Sequence, residues 1–383
     1  MTATATPLSE TQSGEIARHI RDAHDGRRPL RVVGAGTWLD SGAPVDFSDT
    51  VSSLKHRDIV EYVPGDLTIT VGAGASLAFI AEQTAQHDQW LTIDPFGFST
   101  GTIGATVATA SAGPLATGFG TPRDLVLGIE AVTGTGSIIR GGGRVVKNVA
   151  GFDLVRLFTG SRGTLGIITE VTLRLRARPA QDVTMAIAVD GTAAGIRTVG
   201  RALREWPFTP MAAELIDGAC AAAVGLPQAT TLLLRLGGNP KAIASQKQRA
   251  SSLGKTVEVD VAVWERVRNI EKGASGIIRL ADFPSAFAER WADGQHIAGK
   301  SGVVLGSPAR GAIRCVLGEV DTARVSAVRG RSKTAALSFE KLPTPAAWHS
   351  LTAELNPASL DHRMREAFDP MGIMNPGVMR VTR

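Results

Sequence analysis

The spacing of apolar and polar residues divides the first half of the chain into short strands and amphipathic helices. Apolar residues recur at helical spacing over residues 13–23, which predicts a helix there. Apolar and hydroxyl residues alternate over residues 67–71, the pattern of a half-buried strand. A second helix is predicted over residues 77–87, with Ser76 as its N-cap. Further strands are predicted at residues 30–33, 59–63, 126–133, 137–140 and 167–176.

The pattern changes after Arg178 and Pro179, which mark a predicted domain boundary. Strands then alternate with helices and glycine clusters become rare, an α+β arrangement. The predicted elements here are strands at residues 183–189, 231–236 and 257–261 and helices at residues 193–205, 241–253 and 360–367. We expect a first domain over residues 1–179, a second over residues 180–355 and a C-terminal segment over residues 356–383.

Composition agrees with a two-domain globular protein. The 383 residues exceed what one hydrophobic core usually serves. The chain has 43 glycines, about 11% of its residues against roughly 7% on average. They stand in short clusters between apolar runs, which indicates tight turns and close backbone approaches rather than disorder.

Charge and side-chain chemistry exclude several function classes. The net charge of +5 comes without any basic block and with only 5% aromatic residues, which argues against nucleic-acid binding. Cys220 and Cys315 are too few for an iron–sulfur or structural zinc site and suit a reducing cytosol. The seven histidines lack metal-site spacing. The N-terminus has no signal-peptide pattern, and no apolar run is long enough to span a membrane. We therefore expect a cytoplasmic chain with no metal and no transmembrane segment.

Glycine-rich loops carry the candidate chemistry. Gly34, Ala35, Gly36 and Thr37 follow a predicted strand, but Leu39 stands where a dinucleotide fingerprint needs its third glycine. This loop is either an anion-binding nest of backbone N–H groups or an ordinary strand-ending turn. A second loop places Gly160, Gly163 and Gly166 directly before a β-branched strand.

Two pairs of charged residues leave alternatives open. Arg123 and Asp124 can anchor a loop through charge-assisted hydrogen bonds or form a solvated surface pair. Arg310 and Arg314 can bind a carboxylate through their guanidinium groups, and the other interpretation is a role in surface solubility. No Walker A loop and no Gly-x-Ser-x-Gly motif occurs.

In order along the chain, these motifs resemble the FAD domain of the vanillyl-alcohol-oxidase/p-cresol-methylhydroxylase (PCMH) family. The matching segments are residues 31–37, 64–74, 102–105, 123–128, 163–168 and 368–377. Residues 147–157 are similar to the FAD-binding E subunit of bacterial glycolate oxidase. The resemblance implies an α+β fold with a two-subdomain PCMH-type FAD-binding domain, an α+β cap or substrate-type domain, and a C-terminal segment that returns to the FAD site.

The resemblance also implies which residues bind FAD. Relatives that attach FAD covalently often use a histidine in the first loop. Thr37 and Trp38 occupy that region here, so the resemblance implies noncovalent FAD. Two departures from the family pattern are Ala105, in place of a frequent second glycine, and Ser111, where many relatives have Asn. The implied cofactor-binding residues are Gly34, Ala35, Gly36, Thr37, Thr102, Ile103, Gly104, Ala105, Ser111, Gly113, Arg123, Asp124, Gly163, Thr164, Gly166, Ile167, Ile168 and Asn375.

The implied function is that of a flavoprotein subunit of a glycolate oxidase-like 2-hydroxyacid oxidoreductase. The chain would relay electrons between a paralogous catalytic flavoprotein subunit and an iron–sulfur subunit, with a small, glycolate-like 2-hydroxy acid as the substrate of the complex. Any membrane association would come through these partners. A self-sufficient FAD-dependent 2-hydroxyacid dehydrogenase is the first alternative, and a nonenzymatic scaffold without flavin is the second. No catalytic residue is assigned, and Arg310 and Arg314 are the candidate substrate-binding residues.

Overall fold

The computed structural model describes residues 10–143 and 153–382. The first part of the chain is built around an antiparallel sheet with strand order β3-β4-β8-β6-β7. Its elements are α1 (Glu10–Asp25), β1 (Leu30–Val33), β2 (Asp49–Ser52), β3 (Ile59–Val63), β4 (Thr68–Gly72), α2 (Leu77–Ala85), β5 (Gln89–Trp90), α3 (Ile103–Ala108), α4 (Ala116–Phe119), α5 (Pro122–Leu125), β6 (Val126–Thr133), β7 (Ile138–Gly142), α6 (Leu154–Phe158), β8 (Gly166–Arg174) and β9 (Arg176–Ala177).

The central strand β8 is buried on both faces of this sheet. On one face Ile168 packs with Ile103 of α3 and Phe158 of α6. On the other face Ile167 packs with Ile20 of α1. The strand therefore reads as a continuous apolar run, and it holds the turn that precedes it on a rigid base.

The second part contains a larger antiparallel sheet with strand order β13-β10-β12-β11-β15-β16-β14-β17. Its elements are β10 (Gln181–Ala188), α7 (Ala193–Glu205), β11 (Ala212–Ile216), α8 (Gly218–Ala223), β12 (Thr231–Gly238), α9 (Pro240–Ser251), β13 (Lys255–Val259), α10 (Val263–Arg268), β14 (Gly276–Ala281), α11 (Phe287–Ala298), β15 (Val303–Ser307), β16 (Ala312–Leu317), α12 (Thr322–Val328), β17 (Ala336–Lys341), α13 (Pro345–Leu351) and β18 (Thr352–Ala353). We call this part the cap.

The two faces of the cap sheet differ in character. One face is apolar and packs against α7, α9, α11 and α12, with Trp291 and Ile297 at its centre. The other face meets the first part of the chain through Trp90, Phe96 and Leu115. Alternation along the strands sends Glu214 and Arg314 to this second face, since their neighbours in sequence, Leu215 and Cys315, belong to the apolar side.

The C-terminal segment returns to the first part of the chain. It contains α14 (Leu360–Phe368) and β19 (Val381–Thr382). Met374 forms a parallel bridge with Leu30 of β1. The Leu30 N–H donates to the Ile373 carbonyl at 2.7 Å, and the Asn375 N–H donates to the Leu30 carbonyl at 2.9 Å. The segment thus extends the edge of the β1–β2 pair.

Several predicted elements are confirmed, and so is the α+β class. The helix over residues 13–23 is α1, the helix over residues 193–205 is α7, and the strands of residues 126–133 and 137–140 pair as the hairpin β6–β7. Residues 263–351, for which no element was predicted, form α10–α13 and β14–β17. The domain limits at residues 179 and 355 stay predictions. Of residues 147–157, which carry the likeness to the glycolate oxidase subunit, residues 147–152 lie outside the described residues.

Within the described residues, no helix has the length and apolar character needed to cross a membrane. The same residues contain no group of three or more His, Cys, Asp or Glu side chains placed to hold a metal ion. Cys220 and Cys315 are both buried and free.

Candidate functional site

Backbone segments from four places in the sequence enclose a cleft in the first part of the chain. The cleft contains about 720 Å³ of space, including its open mouth. Its walls are the end of β1 with the loop after it (residues 31–39), α3, the turn before β8 (residues 162–166) and Asn375. We call it the backbone cleft, because glycine, alanine and main-chain atoms form much of its lining.

The loop after β1 presents unpaired backbone N–H groups to the backbone cleft. The N–H groups of residues 34–40 donate to no acceptor in the described part of the chain. A Cβ on Gly34 would lie 2.3 Å from the Thr102 hydroxyl oxygen, so glycine lets the loop rest on the start of α3 beside Thr102. Successive free N–H groups in a concave loop suit an anion such as a pyrophosphate. Of the two interpretations left open by the sequence, this geometry favours the nest.

The turn before β8 is held against the same wall by Asn375. The Val32 N–H donates to Asn375 Oδ1 at 2.8 Å, and Asn375 Nδ2 donates to the Arg162 carbonyl at 2.7 Å. Gly163 has φ +73°, and a Cβ there would lie 2.8 Å from Asn375 Nδ2. Arg162 and Asn375 themselves have positive φ values of +52° and +46°. Non-glycine residues rarely adopt this left-handed conformation, and those that do tend to cluster at functional sites.

The structure brings most of the predicted cofactor residues together. Those that line the backbone cleft are Gly34, Ala35, Gly36, Thr37, Gly104, Ala105, Gly163, Gly166, Ile167, Ile168 and Asn375. Thr102, Ile103 and Thr164 are buried behind this lining. Thr102 caps α3 through the Ala105 N–H, and the Thr164 hydroxyl donates to the Ser161 carbonyl. Ser111 and Gly113 line two neighbouring pockets instead.

Arg123 and Asp124 are not brought to the backbone cleft, and both are exposed. The Asp124 carboxylate accepts from the Thr121 N–H and hydroxyl, each at 2.8 Å, and so caps α5. These hydrogen bonds hold the pKa of Asp124 below its usual range. The loop-anchor interpretation is therefore correct for Asp124, and its oxygens are occupied by Thr121 rather than directed at a ligand.

A second pocket continues the backbone cleft towards the cap and contains about 870 Å³ of space, including its mouth. Both cavities share Thr37, Trp38, Ser41, Thr109 and Arg162 as lining residues. The cap contributes Glu271, Lys272, Arg314, Glu340 and Lys341 to the second pocket. A ligand in the backbone cleft can therefore reach a space with charged walls between the two parts of the chain.

Arg314 is buried, which overturns its interpretation as a surface-solubility residue. It is 7% exposed, and its guanidinium lies 4.3 Å from the centroid of the Phe96 ring. It forms ion pairs with Glu271 and with Glu340, the latter at 2.6 Å. Burial alone would raise the pKa of Glu340, but Arg314 and Arg279 outweigh it and hold the pKa below its usual range. Because the guanidinium is occupied by two carboxylates, Arg314 is poorly placed to bind a substrate carboxylate.

Sequence reasoning missed Arg162 as a lining residue, although it stands inside the Gly160–Gly163 motif. Its Nη1 donates to the Ser41 hydroxyl at 3.0 Å. Burial lowers its pKa, and neighbouring Glu340 opposes this shift. The signal was available, because Arg162 stands inside the glycine-rich turn that was predicted to face the ligand.

Comparisons with known proteins identify relatives of this chain. Residues 8–142 match the model of a family described as FAD binding domain. The glycolate oxidase subunit GlcE of Escherichia coli (strain K12) is 32% identical over 209 residues, 54% of this chain and 57% of that protein. The glycolate oxidase subunit GlcD of Bacillus subtilis (strain 168) is 31% identical over 234 residues, 59% of this chain and 50% of that protein. The chain thus spans about half the length of the curated relatives it matches.

A solved structure shows the same fold over nearly the whole chain. The crystal structure of p-cresol methylhydroxylase with substrate bound superposes with a TM-score of 0.73 at 14% identity. The match covers 96% of this chain and 87% of that one. At this level of identity the likeness concerns the fold alone. Residues 8–142 are therefore similar to an FAD-binding domain, and the chain has the fold of p-cresol methylhydroxylase.

Proposed function

We propose that this chain is the FAD-binding flavoprotein subunit of a glycolate oxidase-like 2-hydroxyacid oxidoreductase. The observation that carries the proposal is the backbone cleft, whose unpaired N–H groups at residues 34–40 suit the pyrophosphate of FAD. Two relatives are named as glycolate oxidase subunits, and another, from Archaeoglobus fulgidus, is named a D-lactate dehydrogenase. A small 2-hydroxy acid is accordingly the proposed substrate class of the complex.

Within this proposal, Gly34 to Thr37 hold the pyrophosphate and Gly163 to Ile168 lie along the cofactor. Asn375 fixes the spacing of these two walls through its bonds to Val32 and Arg162. Bound FAD would supply hydride uptake and electron transfer. The protein's part is to hold the cofactor and to place charged groups of the cap beside it.

FAD is proposed to bind without a covalent bond. Covalent attachment needs a nucleophilic side chain such as histidine, cysteine or tyrosine at the flavin. None of the described residues that line the backbone cleft or the second pocket is of these types. Residues 144–152, which lie outside the description, contain none of the three either. Precipitation of the loaded protein with acid should therefore leave the flavin in the supernatant.

The chain is further proposed to relay electrons between a paralogous catalytic flavoprotein subunit and an iron–sulfur subunit. Its support is that two relatives are named as subunits of one kind of oxidase. The location that follows is cytoplasmic, with membrane association only through partners.

The test is to purify the chain alone and together with the proteins that co-purify with it. Each sample would be titrated with FAD and assayed with glycolate and D-lactate using an artificial electron acceptor. We expect FAD binding in both samples and turnover only in the complex. Robust turnover by the isolated chain would support the self-sufficient dehydrogenase and overturn the relay. A protein that stays colourless after FAD addition would overturn both and leave the scaffold.

A further inference from the structure

A third pocket lies beyond the second pocket, beneath the face of the cap sheet that carries Glu214 and Arg314, which we call the charged face. It contains about 340 Å³ of space, including its mouth, and is lined by Phe96 and Gly113 of the first part and by Glu214, Ser307 and Arg310 of the cap. We propose that this pocket binds a small carboxylic acid that carries a hydroxyl group, with Arg310 binding the carboxylate and Glu214 the hydroxyl. Naming this ligand as the substrate class rests on the proposed function, whereas the binding itself does not.

Glu214 is a buried carboxyl group without a partner. It lies in the middle of β11 and is 4% exposed. Its carboxyl forms no hydrogen bond or ion pair with any residue in the described part of the chain. A buried polar group in this state costs free energy until a donor or acceptor reaches it. Because Glu214 lines the third pocket, a ligand there can supply that partner.

Arg310 is the arginine of this pocket whose guanidinium has no ion-pair partner among the described residues. It lies in the turn between β15 and β16 and forms no ion pair there within 4 Å. The two other arginines of the pocket are occupied, since Arg279 pairs with Glu340 and Arg314 pairs with Glu271 and Glu340. A planar guanidinium binds a carboxylate through two parallel hydrogen bonds.

Glu214 and Arg310 influence each other's charge but do not touch. Each shifts the other's pKa through space, while every distance between their charged atoms exceeds the 4 Å of an ion pair. The gap opens onto the third pocket, which both residues line. A hydroxy acid has a carboxylate at one end and a hydroxyl one carbon away. It can therefore satisfy both side chains at once, and a plain anion or a plain alcohol cannot.

The protonation state of Glu214 gives this site a distinctive pH dependence. Its pKa is raised to about 8, mainly by burial; Arg310 opposes the rise, Asp94 adds to it, and Arg314 opposes it. Arg279 and the buried Cys220 thiol are the other titratable groups that face it. Near neutral pH the carboxyl is protonated and does not repel an anionic ligand. As pH rises above 8 it becomes charged, so binding should weaken.

Calorimetric titration with glycolate tests the proposal, using the full chain with and without FAD. Acetate, which lacks the hydroxyl, and ethylene glycol, which lacks the carboxylate, are the comparison ligands. We expect glycolate to bind at least tenfold more tightly than either. Arg310→Met should weaken glycolate binding at least tenfold, and Arg310→Lys, which keeps the charge, should lose less. Arg197→Met, at an exposed ion pair on α7, is the matched control and should bind as the unmodified chain does.

Glu214→Gln is the second variant in this test, because it keeps the size of the side chain and removes its ionisable carboxyl group. Asp94, whose pKa burial raises to about 7, titrates in the same range, so the pH profile of this variant separates the two groups. We expect the unmodified chain to lose roughly tenfold in affinity between pH 8 and pH 9, and E214Q to lose much less. Absent glycolate binding, or equal binding by R310M and the unmodified chain, would overturn the proposal. If the chain binds glycolate but not FAD, the pocket proposal holds and the proposed function fails. If it binds FAD but not glycolate, the proposed function holds and the pocket proposal fails.

Discussion

The backbone cleft and the charged face of the cap sheet border adjoining spaces, but their linings differ in chemistry. The backbone cleft is walled by main-chain N–H groups and small residues, held at contact distance by glycines such as Gly34 and Gly163. The cap face is walled by long charged side chains, among them Glu214, Arg314 and Glu340. The backbone cleft binds a ligand through its own main-chain N–H groups. The cap face binds a ligand through the positions of its own charged side chains.

This difference has a thermodynamic side. Free N–H groups at the mouth of the backbone cleft are open to water, so the unliganded protein gives up little by keeping them unpaired. Charges beneath the cap sheet are buried, so each needs a partner or a shifted pKa. The two walls should therefore respond differently to mutation: changes in the cap face should alter stability most, and changes in the backbone cleft should alter ligand affinity most.

The largest effect is expected from Arg314→Met. Removing this guanidinium leaves Glu271 and Glu340 as largely buried carboxylates without their main partner. Loss of one partner from a buried ion pair typically costs about 3–5 kcal/mol. The free energy of unfolding, measured by urea denaturation, should fall by about that amount.

Arg197→Met provides the comparison for this prediction, since the Arg197–Glu289 pair is about half exposed on both sides. Exposed pairs contribute roughly 0–1 kcal/mol. Equal losses in the two variants would mean that the cap face is solvated, and the contrast between the two walls would disappear.

A smaller effect, with a clear sign, is expected for Glu214→Gln as pH changes. Burial raises the folded-state pKa of Glu214 to about 8, above its value in an unfolded chain. The folded protein then binds more protons than the unfolded one between these two values, so stability falls as pH rises through them. The variant lacks this penalty and should gain on the unmodified chain by on the order of 3 kcal/mol between pH 5 and pH 9.

Thermal or urea unfolding of both proteins across this pH range measures the difference. Glu289→Gln, at an exposed position of α11, should leave the pH profile unchanged. A difference between E214Q and the unmodified chain that stays constant with pH would show that Glu214 keeps an ordinary pKa.

The same contrast explains what sequence could and could not predict. The residues of the backbone cleft stand in short motifs, and each glycine occupies its place for a local reason, as Gly163 does with its positive φ. Glu214, Arg279, Arg314 and Glu340 lie on four strands, and only the strand order β11-β15-β16-β14-β17 brings them together. The spacing of these residues along the sequence does not predict that they lie together. Arg310 and Arg314 were named together from sequence, but only burial and partners separate the free guanidinium from the occupied one.

In the backbone cleft, Gly34→Ala is expected to weaken FAD binding more than it weakens the fold. The added Cβ would lie 2.3 Å from the Thr102 hydroxyl oxygen and force the loop away from α3. Overpacking of this kind costs about 1–3 kcal/mol, which corresponds to a roughly 10- to 100-fold loss of FAD affinity if the loop moves. Flavin fluorescence titration measures it.

A second substitution sharpens this test. Thr102→Ala removes the hydroxyl that the new Cβ would meet, so the double variant should recover part of the lost affinity. Gly65→Ala, where a Cβ would meet nothing within 4 Å, should bind FAD normally. Failure of Thr102→Ala to rescue Gly34→Ala would show that the loop is not set by this contact.

The smallest effect is expected at Asn375, where the tail joins the backbone cleft by two side-chain hydrogen bonds. Asn375→Gly removes both bonds but suits the positive φ of +46°. We expect a loss of about 1–2 kcal/mol in unfolding free energy, since each hydrogen bond contributes roughly 1 kcal/mol. Asn375→Ala should lose about 1 kcal/mol more, because alanine adds backbone strain. Equal stabilities of the two variants would mean that the tail relaxes once the side chain is gone. The positive φ would then be a consequence of the Asn375 bonds to Val32 and Arg162 and not a separate constraint on the wall.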